Sequence, residues 1–401
     1  MAGLDLGVAL REAQVAPESI PDIMLRIART LGATDVVVYL VDFAQTTLEP
    51  IPDRATHAEA PAQEPVVGSM AGRAFAEGSC IIADRPDGAR VWAPIIEGSD
   101  RTGVLALTIP RSTDANIAAC EELGLLAGYL IATQARTTDL YNLHRRRRSL
   151  TLAASMQWDL LPPLVLKTPS VTVAGLLEPA YEVGGDCFDY ALNDRVLSVA
   201  VIDAMGHGVG SALIAALAIG SYRHDRREGR SLEHIHAIID EAIAAHCPPF
   251  TFATGQLAQL DIDTGTLTWT NAGHPLPLLV RGGSVIGELE CRPTPPWGLG
   301  SIVEPNGTAS VARESLEPGD SVLFYTDGVT EAHKPGGELF GVERLVDLIG
   351  RHASDQVEPE EIVRQVVRAI LEYKADQLAD DATLVLVRWN GAITQEQASG
   401  R

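Results

Sequence analysis

The sequence predicts a mixed α/β (α+β) chain in two parts joined by a helical segment, its C-terminal part a layered α/β/β/α sandwich. Two observations carry this. From Val171 onward, short β-branched runs alternate with Gly and Asp turns and with paired amphipathic helices. Two strand-rich sheets with helices in pairs suit a layered sandwich better than a doubly wound parallel sheet. Before that point, a separate helix–strand–loop–hairpin order ends in a long helix-compatible stretch over 117–150. A length of 401 residues fits two or three domains.

Taken in order, residues 1–17 have little pattern and read as a lead-in. Ser19-Ile20-Pro21-Asp22 marks a helix start, with Pro21 near the first helical position. Ile23, Leu25, Ile27, Ala28 and Leu31 give that helix an apolar face, and Gly32 ends it. Residues 35–42 are a strong β-branched strand. A polar stretch to Glu64 precedes a short helix over 69–77 and a short strand over 80–83. Residues 90–96 and 102–109 form a hairpin around Glu97-Gly98-Ser99-Asp100.

The stretch after 117 carries Leu123, Leu126, Leu130, Leu140 and Leu143, a ragged heptad stripe. Two readings are open: half of a dimeric coiled coil, or a helix lying on its own domain. His144-Arg145-Arg146-Arg147-Arg148 is either a solvated face or a contact for an acidic surface. Pro162-Pro163 stops the next helix. Strands follow at 171–177, 189–192, 196–202, 254–261, 266–271, 277–280, 320–326 and 383–389, with helices at 209–226, 231–246, 341–350 and 358–376. Residues 390–401 read as a tail.

The formal net charge is −22, which disfavours nucleic acid as a partner because phosphate binding needs a basic face. Five scattered cysteines (Cys80, Cys120, Cys187, Cys247, Cys291) make no CxxC pair and read as reduced, packed thiols. Neither a basic-then-apolar leader nor a membrane-length apolar run stands out, so the expectation is a cytoplasmic protein without a membrane span.

Chemistry concentrates at four acids, each at a strand end beside a Gly or another Asp: Asp186, Asp203, Asp327 and Asp380. One Asp-Gly pair is only a turn. Four of them meeting at a sheet rim would repel one another unless a cation lay between. All-oxygen donors point to hard ions, Mg²⁺ or Mn²⁺.

The ordered set GGDCFDY (184–190), DAMGHG (203–208), NAGHP (271–275), YTDGVTEA (325–332) and DDATLVLV (380–387) resembles the bacterial SpoIIE/RsbU-type serine phosphatases, a branch of the metal-dependent type 2C (PPM) protein phosphatases. The resemblance implies a phosphatase domain over 166–389, preceded by a helical linker over 139–165. It implies two Mn²⁺ or Mg²⁺ ions and attack of metal-bound hydroxide on phosphoserine or phosphothreonine, without a phosphoenzyme. It makes Asp203 the bridging ligand, the Ala204 carbonyl a backbone ligand, Asp186 the GGD acid, and Asp327 and Asp380 carboxylates on the other metal. Asp381 is expected to face solvent or cap a turn. His207 is either the general acid for the leaving seryl oxygen or a group that holds its loop. Asn271 and His274 are expected to hold structure by hydrogen bonds, and Glu331 to stand behind Asp327. The substrate implied is a phosphorylated anti-anti-sigma (STAS-domain) protein. The alternatives are a phosphoprotein-binding pseudophosphatase and a dimerising sensor without turnover.

The element order over 18–138 resembles a GAF sensory domain. That likeness implies a small-molecule or light-sensing module that regulates the second domain, with a purely structural dimer module as the alternative; with the leucine stripe it leads to the expectation of a homodimer. Cys80 and His57 would be cited for a bound group, but a packed thiol and a solvated loop imidazole are the commoner states.

Overall fold

The computed structural model describes residues 20–52, 61–178, 184–304, 307–333, 337–352, 357–373 and 381–392. The chain divides into two compact units, Met1–Ser149 and Leu150–Arg401. The linker expected over 139–165 is therefore shared: its first part packs with the N-terminal unit and its second with the C-terminal unit.

The N-terminal unit contains α1 (Ile20–Ala28), β1 (Asp35–Val41), β2 (Thr47–Pro50), β3 (Glu64–Pro65), α2 (Met70–Glu77), β4 (Ile81–Arg85), β5 (Gly88–Glu97), β6 (Asp100–Ile109), α3 (Asp114–Gln134) and α4 (Leu140–His144). Among the described residues its strands form one sheet in the order β3-β2-β1-β6-β5-β4, with antiparallel pairs throughout. Alternation sorts the sheet's residues onto two faces. Val38, Leu40, Val91, Ala93, Leu105 and Leu107 meet α1 and α3. Tyr39, Val41, Trp92, Val104 and Ala106 meet Ala71, Ala74 and Phe75 of α2. Ser69 caps α2 by accepting from the Gly72 amide at 2.9 Å.

The helix expected to run through 117–150 is broken. It stops at Gln134, resumes for α4, and stops again before Thr151. The leucine stripe turns inward: Leu123 and Leu130 are buried in the unit's own core, and Leu126 and Leu140 pack against it. Burial of each such side chain is worth about 1.5–3 kcal/mol. Gly124 and Gly128 permit this docking, because a Cβ at either would strike the Pro94 or Ile96 carbonyl of β5. By length and composition α3 is apolar enough to cross a membrane, contrary to expectation. Its apolar character is what lets it lie on β5. The basic run also folds back on the unit. Arg145 Nε donates to the Val41 carbonyl at 3.0 Å and its guanidinium lies 4.6 Å from the Phe43 ring centroid. Arg147 donates to Thr47 Oγ1 at 3.0 Å.

The C-terminal unit contains α5 (Leu152–Leu160), β7 (Val165–Lys167), β8 (Val171–Glu178), β9 (Asp186–Asn193), β10 (Val196–Ala204), α6 (Val209–Arg227), α7 (Leu232–His246), β11 (Ala253–Asp261), β12 (Thr266–Ala272), β13 (Leu278–Arg281), β14 (Ser284–Glu288), α8 (Gly300–Val303), β15 (Ala312–Ser315), β16 (Ser321–Tyr325), α9 (Asp327–Thr330), α10 (Gly341–His352), α11 (Pro359–Tyr373) and β17 (Ala382–Trp389). The short strands β7, β14 and β15 were not anticipated. Among the described residues two antiparallel sheets form, β15-β12-β11-β10-β9 and β14-β13-β16-β17-β8-β7. Phe188, Val199, Val201, Trp269, Val173, Phe324 and Val385 pack in the core that both sheets share, which also takes in Ile362, Val366 and Ile370 of α11. Ala215, Ala218, Ile219, Ile235 and Ile239 of α6 and α7 cover the outer face of the first sheet. The layers are α/β/β/α. Trp389 Nε1 donates to the Ile262 carbonyl at 2.8 Å and ties the second sheet to the strand end of the first.

Candidate metal and active site

β10 delivers Asp203 at its end, and the β9–β10 register sets Asp186 directly across from it. Opposed residues of an antiparallel pair hold their Cβ atoms about 4.5–5.5 Å apart, so the two carboxylates are neighbours. On the other side Asp203 pairs with Thr254 of β11. Asp186 is fully buried and its carboxyl is held well above the usual range, first by burial, then by the charges of Asp203 and Asp381. The hydrogen bond from Thr326 and the nearby Thr383 hydroxyl pull the other way.

The second sheet supplies those hydroxyls. Thr326 Oγ1 donates to Asp186 Oδ2 at 2.6 Å and accepts from the Thr383 amide at 2.9 Å. One side chain thus joins the ends of β16 and β17 to the start of β9. The next residue, Asp327, opens α9. Asp327 therefore stands one residue from a group in contact with Asp186.

Asp381 does not face solvent. It is buried, and its Oδ2 accepts from the Gly184 amide at 2.6 Å and the Gly185 amide at 2.7 Å, with the Asp186 amide at 3.4 Å. Successive amides aimed at one carboxylate oxygen form an anion nest, so Asp381 fixes the backbone that presents Asp186. Gly185 has no room for a Cβ against the Ala204 carbonyl, and the Ala204 amide donates to the Gly185 carbonyl at 3.1 Å. That close approach places the Ala204 backbone beside the GGD turn. Gly206 and Gly208 take φ of 87° and 78°, where only glycine is unstrained, and carry the chain from β10 into α6.

His207 is exposed in this turn. Asn271 Nδ2 donates to the His274 carbonyl at 2.8 Å and Asn271 Oδ1 accepts from the His274 amide at 2.7 Å. Glu331 is exposed; its amide donates to the Asp327 carbonyl at 2.7 Å. Cys80 is half-buried, with its thiol pushed up to about 12 chiefly by burial, which makes it unreactive at neutral pH. Asp380 and His57 lie outside the described residues.

Among the described residues no three of His, Cys, Asp and Glu gather into a ready-made metal cage. What the rim offers is a buried Asp186 paired with a half-buried Asp203, the Ala204 backbone and the adjacent Asp327. The donor set is all oxygen, and the repulsion raised on Asp186 is the condition that a divalent cation relieves. The residues present therefore fit a hard divalent ion.

Sequence reasoning missed several members of this site. Thr326 and Thr383 lie inside YTDGVTEA and DDATLVLV but were not singled out there, and Gln157 belongs to none of the five motifs. Gln157 on α5 is fully buried, and its Nε2 donates to the Asp186 carbonyl. Its signal was a glutamine set among apolar residues just before the proline pair.

Residues 193–390 match the family model described as Stage II sporulation protein E (SpoIIE). The chain is similar to Protein IcfG of Synechocystis, 25% identical over 272 residues, which is 61% of this chain and 42% of that protein. It is similar to the phosphoserine phosphatase RsbU of Bacillus subtilis, 24% identical over 272 residues, 66% of this chain and 77% of that one. Among solved structures it is similar to the RsbU and RsbW domains of Rv1364c from Mycobacterium tuberculosis, with 26% identity, a TM-score of 0.49, and coverage of 56% and 63%. The chain thus spans under half the length of IcfG and about three quarters of RsbU. The stretch that matches the SpoIIE family model is the one that carries Asp203, Ala204, His207, Asp327 and Asp380.

Proposed function

We propose that the C-terminal unit is a divalent-metal-dependent protein serine/threonine phosphatase. The observation that carries this reading is the β9–β10 register, which sets Asp186 against Asp203 while Thr326 brings Asp327 to the same rim. The match to the SpoIIE family model and the likeness to RsbU support it. In this reading Asp203, Asp186, Asp327, Asp380 and the Ala204 carbonyl hold Mn²⁺ or Mg²⁺, two ions in all. When bound, such ions supply Lewis acidity that polarises the phosphoryl group and acidifies the attacking water.

The chain's own residues do the rest. Thr326 orients the Asp186 carboxylate through its 2.6 Å bond. Asp381 locks the GGD backbone. His207, exposed beside the acids, gives a proton to the leaving seryl oxygen. The bare backbone at Gly206 and Gly208 leaves the phosphoryl group room to approach.

The substrate in this reading is a phosphoserine of a regulatory partner, an anti-anti-sigma (STAS-domain) protein. The N-terminal unit is a GAF-like sensory domain, with or without a small-molecule ligand, in a cytoplasmic homodimer. Regulation would enter through α5, whose Gln157 touches the Asp186 backbone and whose Leu160 carbonyl accepts from Arg223 of α6.

The test is Mn²⁺-dependent release of phosphate from a phosphoserine-bearing STAS protein. Asp203→Ala and Asp327→Ala should each lower the rate about 10³-fold or more, the scale expected for loss of a metal-centred electrostatic contribution. Wild-type rates in either variant would defeat the reading. Tight binding of the phosphoprotein without turnover would replace it with the pseudophosphatase.

A further inference from the structure

The turn that follows Asp203 is tied by backbone bonds to the loop over 247–252. The Met205 amide donates to the Phe252 carbonyl at 3.1 Å. Ala253, the next residue, is the cross-strand neighbour of Ala204. The loop therefore sits beside the rim that carries the acids. Four apolar side chains are exposed on this ground: Met205 at 41%, Val209 at 41%, Leu213 at 57% and Phe250 at 72%. Val209 and Leu213 lie one turn apart on α6, hence on one face. Apolar residues scattered singly over a surface are ordinary; a group of them beside one site is not.

Two further facts single out this ground. Phe250 has φ of 65°, in the left-handed region that a bulky side chain rarely enters. The other non-glycine residues there among those described, Gln45 and Asp194, are polar residues of hairpin connections. Phe250 is instead an aromatic held out in water, and strain of that kind collects at functional positions. The second fact is charge. In a chain of net charge −22, neither 204–222 nor 247–260 contains an Asp, Glu, Lys or Arg. A phosphoserine brings about −1.5 to −2 of its own. An anionic partner meets the least repulsion where this acidic chain is neutral.

The chemistry of the site names the occupant. In phosphoserine only one carbon and one oxygen separate the phosphorus from Cα. A phosphoryl group lodged at the acid rim therefore brings its own backbone, and the surface of its protein, onto the ground beside Met205. We propose that Met205, Val209, Leu213 and Phe250 are the docking surface for a folded phosphoprotein substrate, whose own apolar patch beside the phosphoserine packs on them. Affinity then comes mainly from the protein surface, and the acid rim has only to hold the phosphoryl group. This rests on the phosphatase reading.

The experiment uses the full chain with Mn²⁺ and two substrates: a phosphoserine-bearing STAS protein, and a short peptide with the same phosphoserine and its flanking residues. Phe250→Asn replaces the aromatic by a residue that tolerates left-handed backbone, so Tm should hold or rise. Its KM for the folded protein should rise about tenfold with kcat within about twofold, while kcat/KM for the peptide changes less than about twofold. Leu213→Gln, a good helix former, should raise the same KM about fivefold. An unchanged KM for the folded protein in either variant overturns the proposal. An equal loss on protein and peptide also overturns it, because the residues would then serve the rim itself. Sedimentation of both variants reads the rival occupant: a dimer that dissociates while KM holds gives the patch to a second copy and overturns the proposal. If wild type releases phosphate from neither substrate, the phosphatase reading fails, and calorimetric titration with the phosphoprotein decides docking. Weaker binding by Phe250→Asn then supports it, and equal binding or none overturns it.

Discussion

Two acids three positions apart on β9 meet opposite fates. Asp189 faces the helices: Arg223 NH2 lies 2.7 Å from its Oδ1 and Arg226 NH1 lies 2.6 Å from its Oδ2. Asp186 faces the other sheet, and its neighbours are Asp203, Asp381 and threonine hydroxyls. Both carboxylates are buried. One is neutralised by the protein; the other is left among like charges. Nature's commonest way to bury a charge is to pair it. The contrast fits the proposed reading, in which a bound cation supplies at Asp186 the positive charge that two arginines supply at Asp189.

Substitutions can break that contrast, the largest effect first. Asp189→Ala strands Arg226, whose side chain is only 9% exposed. Loss of one partner of such a pair should destabilise by about 3–5 kcal/mol, read by urea denaturation. Asp186→Asn should do the reverse in metal-free protein and raise Tm at pH 7. The sign follows from linkage. A carboxyl whose folded pKa is raised contributes stability below its unfolded pKa and loses it as pH rises through the folded pKa. Metal-free wild type should therefore gain stability as pH falls from neutral toward the carboxylate range, and Asp186→Asn should flatten that part of the profile. A profile identical in both proteins would show that Asp186 is not under repulsion. The smallest effect is Thr326→Val, which removes the donor to Asp186 Oδ2. Mn²⁺ binding should weaken about tenfold by titration calorimetry, as for other residues that orient a ligand. Unchanged affinity would assign Thr326 to packing alone.

Part of this contrast was legible in the sequence. Asp203 stood out because it ends the β-branched run over 196–202, and Asp186 because it follows Gly184-Gly185; the strand expected over 189–192 stopped short of Asp186, so their pairing was not read from the sequence. The sandwich strands were readable from runs of the same kind. What stayed hidden was set by contacts between distant positions. Thr326 reaches Asp186 across 140 positions and Asp381 reaches Gly185 across 196. No local pattern encodes such a bond, so Asp381 read as a surface or turn residue. The broken helix after 117 was hidden for a different reason. Apolar residues fall on every side of α3, and its leucines fit a heptad as well as they fit the face that Gly124 and Gly128 lay on β5. Periodicity alone could not choose between those faces.

The place of β17 has a consequence for biosynthesis. This strand sits inside its sheet, between β16 and β8, rather than at an edge. A ribosome-bound chain that has emitted everything through β16 still lacks the piece that joins β8 to its neighbours and carries the Asp381 anchor for the GGD turn. Partial translation products and nicked chains missing that strand should therefore be inert, which would keep an unfinished copy from acting ahead of its time.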